Sequence, residues 1–440
     1  MPDVVIVGAG LTGLSAAYHL EQQGVRDILI CEQEERPGGL LRSHTDQGYT
    51  FDYTGHFLHI SNPAFRQFID DCAGLSFFGS IERKSAIFMH NVHVPYPIQM
   101  HLYGLPAEVI YECVMGYLQR SSRKKKIDSF YDWALFYFGA GFVKHFFDPY
   151  NARLLSWPIK KLHAGWTGRF VPQTTVQQVV RGALVPADAT GVGYNSSFLY
   201  PQRGGIEVLI KGLLSRITSP VYTTTKVVKI DQQKKCIYCA DGKSYTYRHL
   251  ITTAPLDTTV QALARSPHDA FAGVARQLWC SSLININIGY ARQTAQPYHW
   301  VYFPQPTYAF YRLGVWNNIS KHLAPAGTSS VYVELSYQAR KTKRSAMQGA
   351  CEQAIEQATS YLGLTAQDIV SQVTLELPHA YVTYTPWRAR HLAGLLSALK
   401  EHDIYSVGRF GEWKYSSMQE AFEDGYAVAA HIVARRKGGH

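Results

Sequence analysis

The 440-residue sequence predicts an α/β fold that combines a parallel sheet, a mainly helical insert and an antiparallel or mixed β-sheet unit. Three observations predict it. Residues 3–8 form an apolar strand pattern that runs into glycines and a helical pattern over 10–23. Residues 101–192 contain helical segments with short polar joints, and residues 280–335 contain three strand-like runs. Hydrophobic residues make up 46% of the chain, which excludes bulk disorder.

The other elements follow in chain order. Residues 27–32 form a second apolar strand and complete a βαβ unit of the usual length of about 30 residues. Residues 222–254 predict a strand, a hairpin with an Asp-Gly turn and a further strand. Helices are predicted over 345–362 and 366–372. The C-terminal stretch predicts a strand, a glycine-containing turn and a long helix.

The charge balance favours an anionic partner. Lys and Arg number 43 against 33 Asp and Glu, which gives a net charge of +10. Nucleic acid, phosphorylated metabolites and acidic lipid all carry the required charge. The basic run at 123–126 lies between helices without an aromatic-interleaved basic surface around it, so we expect a solvated loop and no nucleic-acid partner.

The cysteines and the first residues indicate a cytoplasmic protein. Seven cysteines scattered from Cys31 to Cys351 do not form a disulfide framework. The start of the chain lacks the features of a signal peptide, and no apolar run approaches the roughly 18–20 residues of a membrane span. Cys236 and Cys239 form a CxxC in the predicted hairpin, where no second pair completes a zinc site, so no metal is predicted.

The glycine motif that follows the first strand indicates a dinucleotide. It is a GxGxxG that opens a helix, and an acid closes the second strand, as in a Rossmann-like fold. The glycines permit a tight turn, the approach of backbone N–H groups to a pyrophosphate and close helix packing, while the acid accepts from ribose hydroxyls. The predicted cofactor-binding residues of this unit are Gly8, Gly10, Leu11, Thr12, Gly13 and Glu32.

The segment after Glu32 favours FAD over NAD. Gly38, Gly39 and Leu40 lie directly behind the ribose acid and precede an aromatic strand, which is typical of the large FAD-binding fold with a separate substrate domain. The predicted FAD-binding domain is discontinuous and comprises 1–90, 200–260 and 400–440. A helical domain is predicted over 101–192. The β-sheet substrate domain is predicted to comprise 91–100, 193–199 and 261–399.

Nine stretches, in order, resemble the UDP-galactopyranose mutases, and the resemblance is closest to the eukaryotic-type members. It covers nearly the whole chain. The stretches are TGHFLH at 54–59, HVPYPIQ at 93–99, FFDPYNARLLSWP at 146–158, GWTGRFVPQ at 165–173, FLYPQRGG at 198–205, HWVYFPQ at 299–305, FYR at 310–312, HAY at 379–381 and GRFGEWKY at 408–415.

The resemblance implies a mutase that interconverts the pyranose and furanose forms of a UDP-linked galactose. In the family, N5 of reduced FAD attacks the anomeric carbon, and a flavin–sugar adduct opens and recloses without net redox change. The sequence agrees in offering no protein nucleophile with its own base, such as a GxSxG. The implied partners are a nucleotide sugar and NAD(P)H or another reductant, and a homo-oligomer is compatible with the family.

The resemblance also implies residue roles. Arg169 and Arg312 match the cations on the departing diphosphate, where a structural ion pair is the alternative. The tyrosines that match diphosphate donors are Tyr302, Tyr381 and Tyr415. In the flavin-side segment, Gly55 and His56 lie beside the ring, Phe57 lines the sugar face and His59 is a second candidate.

Further positions match the two ligand pockets of the family. Those of the nucleotide sugar are Tyr96, Gln99, Asn151, Asn195 and Trp300. Those of FAD are Val227, Arg409 and Gln419. Singly, each Tyr or His in such a setting is more often part of a core.

Two departures from the family leave alternatives open. Ile98 replaces an aromatic of the base pocket, and the segment after Arg312 is shorter than the family's substrate-closing flap. The chain is then either a bacterial enzyme with a trimmed flap or a mutase for another nucleotide sugar. Two rival functions are an oxidase or desaturase of the amine-oxidase and protoporphyrinogen-oxidase type, and a non-catalytic binder of nucleotide sugars or anionic polymers that keeps FAD structurally.

Overall fold

The computed structural model describes residues 2–121, 127–167, 171–186, 196–264 and 270–438. Its α-helices are α1 (Leu11–Gln22), α2 (Pro63–Ala73), α3 (Ala107–Leu118), α4 (Phe130–Phe142), α5 (Asp148–Leu154), α6 (Val176–Leu184), α7 (Glu207–Leu214), α8 (Leu256–Leu263), α9 (Ala270–Gln277), α10 (Trp316–Ile319), α11 (Arg344–Tyr361), α12 (Pro386–Glu401), α13 (Gly408–Gly411) and α14 (Met418–Gly438).

The β-strands alternate with these helices along the chain. They are β1 (Val4–Val7), β2 (Ile28–Cys31), β3 (Ser43–Asp46), β4 (Tyr49–Asp52), β5 (Phe78–Glu82), β6 (Ser85–Met89), β7 (Val92–Pro95), β8 (Ser197–Pro201), β9 (Val221–Tyr222), β10 (Val227–Asp231), β11 (Cys236–Cys239), β12 (Ser244–Thr246), β13 (His249–Thr252), β14 (Cys280–Tyr290), β15 (Trp300–Tyr302), β16 (Arg312–Val315), β17 (Ser329–Tyr337), β18 (Ile369–Val382) and β19 (Ile404–Ser406).

A five-stranded parallel sheet carries the dinucleotide motif. Its strand order is β19-β13-β1-β2-β9, and Val4 pairs with both Ile28 and His249. The central strands are apolar and buried because both faces are covered, as expected for parallel strands. Helix α1 packs on α14, where the Ser15 hydroxyl donates to the Phe422 carbonyl. The predicted βαβ unit, the hairpin of 222–254 and the final strand–turn–helix are confirmed.

A seven-stranded sheet forms the second layer. Its order is β18-β14-β17-β16-β15-β6-β7; only β15 and β6 pair in parallel. The helix predicted over 366–372 is wrong, because residues 366–368 form a short 3-10 turn and β18 begins at Ile369. β-branched residues such as Val373 and Thr374 favour the strand, which gains a long antiparallel partner in β14.

The helices α3 to α6 form a unit that packs against one face of this sheet. Small residues bring α3 and α4 into close contact: a Cβ atom on Gly141 would lie 2.1 Å from the Glu112 carbonyl oxygen. Gly139 lies at φ 81° and marks a kink in α4. A single turn of π-helix (143–147) then leads into α5, which carries Tyr150 and Asn151 to the interior.

The overall architecture is the predicted α/β fold with a helical unit and a mixed sheet. The division into domains stays a prediction. Strand β6, which it assigns to the FAD-binding part, pairs with β15 in the seven-stranded sheet. Strand β8 pairs with β5 in a separate two-stranded sheet.

Candidate functional site

The glycine motif forms a tight turn in which neighbouring atoms leave no room for a side chain at Gly8 or Gly13. A Cβ on Gly13 would lie 2.0 Å from the Gly8 carbonyl oxygen, and one on Gly8, at φ +100°, would lie 2.4 Å from Thr253 Oγ1. Over Gly10, by contrast, the nearest atom would be 3.9 Å away. Gly10 is the N-cap of α1 and contributes no side chain, so the first N–H groups of the helix are available to a phosphate.

The second glycine pair closes this turn beside Glu32. The Gly38 N–H donates to the Ala9 carbonyl at 2.8 Å, and Leu40 lies in the 3-10 turn that follows. The buried Glu32 carboxylate follows β2 and accepts from the N–H groups of Ala9 and Glu34. This arrangement fits the ribose and pyrophosphate of a dinucleotide, and Thr12 and Leu11 begin the helix under it.

A cavity lies between the helical unit and the seven-stranded sheet. Seven of the predicted site residues line it together: Tyr96, Gln99, Asn151, Tyr302, Arg312, Tyr381 and Tyr415. Its apolar wall comes mainly from the helical unit, through Phe146, Phe147, Leu154, Leu155, Leu162 and Trp166. Residues from distant parts of the chain thus converge on one concave site, which several phenols and the Arg312 guanidinium line.

The guanidinium belongs to Arg312 and is held by a buried carboxylate. Arg312 Nε and Nη2 donate to the two oxygens of Glu334 at 2.9 and 2.6 Å, and the Tyr311 hydroxyl donates to the same carboxylate at 2.6 Å. Glu334 is 0% exposed, whereas Arg312 is 18% exposed. Burial alone would lower the pKa of Arg312, but the Glu334 carboxylate and the neighbouring tyrosines together outweigh it and raise the pKa. Arg312 therefore stays charged, and its Nη1 makes no hydrogen bond to a described residue.

Several tyrosines lie around Arg312, and burial keeps three of them neutral. Burial raises the pKa of Tyr381 to about 12 and that of Tyr96 and Tyr150 further, against a smaller opposing effect of arginines. Tyr381 and Tyr415 stack at 6.1 Å, and the rings of Tyr96 and Tyr302 lie 5.2 Å apart. The phenols of Tyr381, Tyr96 and Tyr150 therefore keep their protons at neutral pH and can donate to an anionic ligand.

The segment that carries His56 lies beside this cavity. Burial, together with smaller effects of Arg409 and Arg312, lowers the pKa of His56 to about 4, so the imidazole is neutral. Phe57 stacks on Trp300 at 5.1 Å, and the Trp300 indole N–H finds no partner among the described residues. His59 Nδ1 instead faces the Ser197 carbonyl at 3.2 Å.

The three further residues predicted to bind FAD lie in different parts of the structure. Arg409 donates to the carbonyls of Ser416 and Ala380, while its buried Nε has no partner among the described residues. The Gln419 amide is used within the protein, with Ser61 and Glu423 among its partners. Val227 lies on β10, two residues after Thr225, whose N–H donates to the Glu32 carbonyl.

The amide groups predicted to line a base pocket already donate to backbone carbonyls. The Gln99 amide donates to the Pro172 carbonyl at 2.6 Å, and that of Asn151 donates to the Phe147 carbonyl at 2.8 Å. Ile98 is fully buried in the core beneath the cavity. Arg169 and Asn195 lie outside the described residues.

Three residues of the site are not singled out by the sequence. Glu334 is the one acid in the apolar strand SSVYVELSY, which is the signal that could have found it. Arg83 lies with its guanidinium 4.7 Å from the Tyr96 ring and 5.8 Å from that of Trp300. Arg153 makes four hydrogen bonds to carbonyls just behind the cavity wall.

Comparison with known families decides the broad class. The family of flavin-containing amine oxidoreductases matches residues 11–433. The chain belongs to this family. FAD is thus its cofactor, as the sequence predicts, and the glycine cradle, Glu32 and the unpartnered Nε of Arg409 fit the group.

Relatives within this family carry different activities. A solved structure of reduced UDP-galactopyranose mutase aligns with a TM-score of 0.90 and 26% identity, over 99% of this chain and 96% of that one. Coproporphyrinogen III oxidase of Staphylococcus aureus is 48% identical over 51 residues, 11% of each chain. Phytoene desaturase of Pantoea ananas is 40% identical over 52 residues, 12% of this chain and 10% of the relative. The chain thus spans only about a tenth of the length of these two curated relatives.

The described residues contain no candidate membrane span and no candidate metal site. Over the described part of the chain, no helix has the length and apolarity that crossing a membrane requires. Within the same ranges, no three His, Cys, Asp or Glu side chains are grouped as a metal site would need. Cys236 and Cys239 lie on β11, the strand of the predicted hairpin.

Proposed function

We propose that the chain is a reduced-FAD-dependent mutase that interconverts pyranose and furanose forms of a nucleotide sugar, with UDP-galactopyranose and UDP-galactofuranose as the leading pair. One observation carries the proposal: the charged Arg312 lines the same cavity as several tyrosines, Gln99 and Asn151. A cation surrounded by phenol donors suits a diphosphate, whereas an amine oxidase needs no such cation. The likeness to the reduced mutase over nearly the whole chain supports it.

The residues of the cavity would hold and release the diphosphate. Arg312 Nη1 is free of described partners and would donate to a diphosphate oxygen, with Tyr302, Tyr381 and Tyr415 as further donors from other strands and loops. Because Glu334 already neutralises much of the arginine charge, the site would bind a diphosphate without trapping it. This balance suits a reaction in which the same diphosphate leaves and returns. Reduced FAD would supply the nucleophile for the anomeric carbon.

The apolar end of the cavity would take the base. The Gln99 side chain uses its amide N–H to donate to Pro172, and Asn151 uses its own to donate to Phe147. The side-chain carbonyl oxygen of each residue would then accept a hydrogen bond from the base. The neutral His56 and the Phe57–Trp300 stack would lie towards the sugar and the flavin. Arg169 and Asn195 remain proposed as a second diphosphate cation and a substrate contact. A nicotinamide or other donor would reduce the flavin, and the assembly of several copies stays a proposal.

The second candidate is an FAD-dependent oxidase or desaturase, which the family and the short matches to a porphyrinogen oxidase and a desaturase favour. A panel of substrates separates the two. The dithionite-reduced protein is incubated anaerobically with UDP-galactofuranose and related nucleotide furanoses, and products are separated by HPLC. In parallel, oxygen uptake is recorded with amines and with coproporphyrinogen. We expect pyranose product and no substrate-dependent oxygen uptake; uptake without pyranose product would replace the mutase by the oxidase.

A further inference from the structure

The Arg153 guanidinium binds the backbone of one loop beside the cavity. Its Nη1 donates to the carbonyls of Phe303 and Gln305 at 2.7 and 3.0 Å, and its Nη2 donates to those of Tyr308 and Phe310 at 2.5 and 2.7 Å. One guanidinium thus satisfies four backbone acceptors of a single loop.

This loop joins two residues of the cavity. It begins after Tyr302, the last residue of β15, and ends before Arg312, the first residue of β16. Tyr302 and Arg312 also face each other in the register of the two strands. The geometry of the loop therefore sets how the phenol and the guanidinium approach each other across the base of the hairpin.

Arg153 is a half-buried arginine. No carboxylate of a described residue lies within salt-bridge distance of it, so its protein partners are carbonyl dipoles. Burial lowers its pKa to about 10, which still leaves it charged at neutral pH. A charged group held by four carbonyls fixes the loop more rigidly than a neutral donor would.

The backbone of Arg153 belongs to a second wall. It lies on α5, where Tyr150 and Asn151 line the cavity. The Tyr150 ring contacts those of Tyr302 and Tyr311 at 5.4 and 6.1 Å. Arg153 therefore connects the helix wall of the cavity to the hairpin wall, from behind.

We propose that Arg153 is a positioning residue, which holds the β15–β16 hairpin so that Tyr302 and Arg312 converge on the diphosphate of the substrate. The proposal rests on the proposed function. Arg153 itself touches neither the cavity nor a ligand and acts through the loop. A lysine could satisfy some of the four carbonyls but could not reproduce the two-pronged geometry.

The test uses UDP affinity and steady-state kinetics of the FAD-loaded protein. For R153K we expect UDP affinity and kcat/KM to fall by about tenfold, and for R153Q by more, with the FAD content unchanged. A matched control is L399A, which opens a cavity in a core cluster that contains no residue of this loop. At equal loss of Tm, L399A should leave UDP affinity unchanged, because destabilisation alone does not move the hairpin.

Coupling to Tyr302 distinguishes positioning from a general effect. In R153K the additional change Y302F should cost little, because the phenol is already misplaced, while Y381F on β18 should cost as much as it does in the wild type. Additive effects of R153K and Y302F, or R153K with wild-type UDP affinity, would overturn the proposal. Failure of the wild-type protein to bind UDP at all would instead overturn the proposed function.

Discussion

The Arg312 guanidinium meets the buried Glu334 carboxylate through two hydrogen bonds on the wall of the cavity. This pair reconciles two alternatives that the sequence left open, since Arg312 makes a structural ion pair and also lines the site. A fully desolvated carboxylate fixes the direction of the guanidinium and reduces its net charge.

Replacing Glu334 with Gln should lower the stability of the folded protein and raise its affinity for the diphosphate. The variant leaves Arg312 without its buried counter-charge, which we expect to lower the free energy of unfolding by about 2–4 kcal/mol. The uncompensated arginine should raise the affinity for UDP and slow turnover. Denaturant unfolding and a UDP titration measure both effects. Glu356→Gln, an exposed acid on α11, is the control and should change neither.

Replacing Arg312 with Ala should remove stabilisation of the charge that develops on the departing diphosphate. We expect kcat/KM for the nucleotide sugar to fall by an amount that corresponds to a loss of about 2–4 kcal/mol of transition-state stabilisation, while FAD stays bound. Because the change leaves Glu334 buried without a partner, the double variant R312A/E334A checks whether the loss reflects stability alone. The same loss is expected for R169A. Activity within twofold of wild type for both R312A and R169A would remove the arginines from the mechanism.

The neutral His56 should make stability depend on pH. Its pKa in the folded state is about 4, below the ordinary value of about 6.5, so the unfolded chain binds more protons between these values. The contribution of His56 is therefore present above pH 6.5 and is lost as the pH falls towards 4. Since His56 is only half-buried, we expect a loss of about 1–2 kcal/mol.

The measurement is unfolding by denaturant at several pH values for the wild type and for His56→Asn. Other buried groups titrate in the same window, including Asp52, whose pKa burial raises to about 6. Their effects cancel in the difference between the two proteins. A difference that stays constant from pH 4.5 to 7 would show that the pKa of His56 is the same in the folded and unfolded states, which would contradict the lowered value.

Adding a methyl group at Gly13 should abolish FAD binding. The Cβ of G13A would lie 2.0 Å from the Gly8 carbonyl oxygen, so the turn under the pyrophosphate must open. The control is G349A on α11, where a Cβ meets nothing within 4 Å and should stabilise the helix by about 0.5–1 kcal/mol. The ratio of flavin to protein absorbance reports the result. Full FAD content in G13A would contradict the placement of the dinucleotide.

The sequence predicts the elements whose signals are local. The GxGxxG, the acid 19 residues later and the hairpin with its Asp-Gly turn all depend on neighbouring residues, and all lie where they were predicted. The strand β18 was missed because residues 366–372 offer no clear period, and only pairing with β14 decides the strand. Likewise, Glu334 and Arg153 act through partners that are distant in the sequence or on another element, which no local pattern reveals.

The convergence of seven predicted residues on one cavity depended on the family resemblance rather than on local patterns. Tyr96, Asn151 and Tyr415 come from three regions of the chain, and composition alone gives no reason to group them. The direction of their side chains follows from the packing of the helical unit against the seven-stranded sheet. Their roles towards a sugar nucleotide remain predictions.

The dependence of turnover on the redox state of the flavin tests the central proposal most directly. UDP-galactofuranose is mixed anaerobically with the oxidised protein and, separately, with the dithionite-reduced protein, and UDP-galactopyranose is followed by HPLC over time. The proposal predicts many turnovers per flavin with the reduced protein, none with the oxidised protein and no net reoxidation. It would be contradicted if the reduced protein formed no pyranose from this or a related nucleotide furanose.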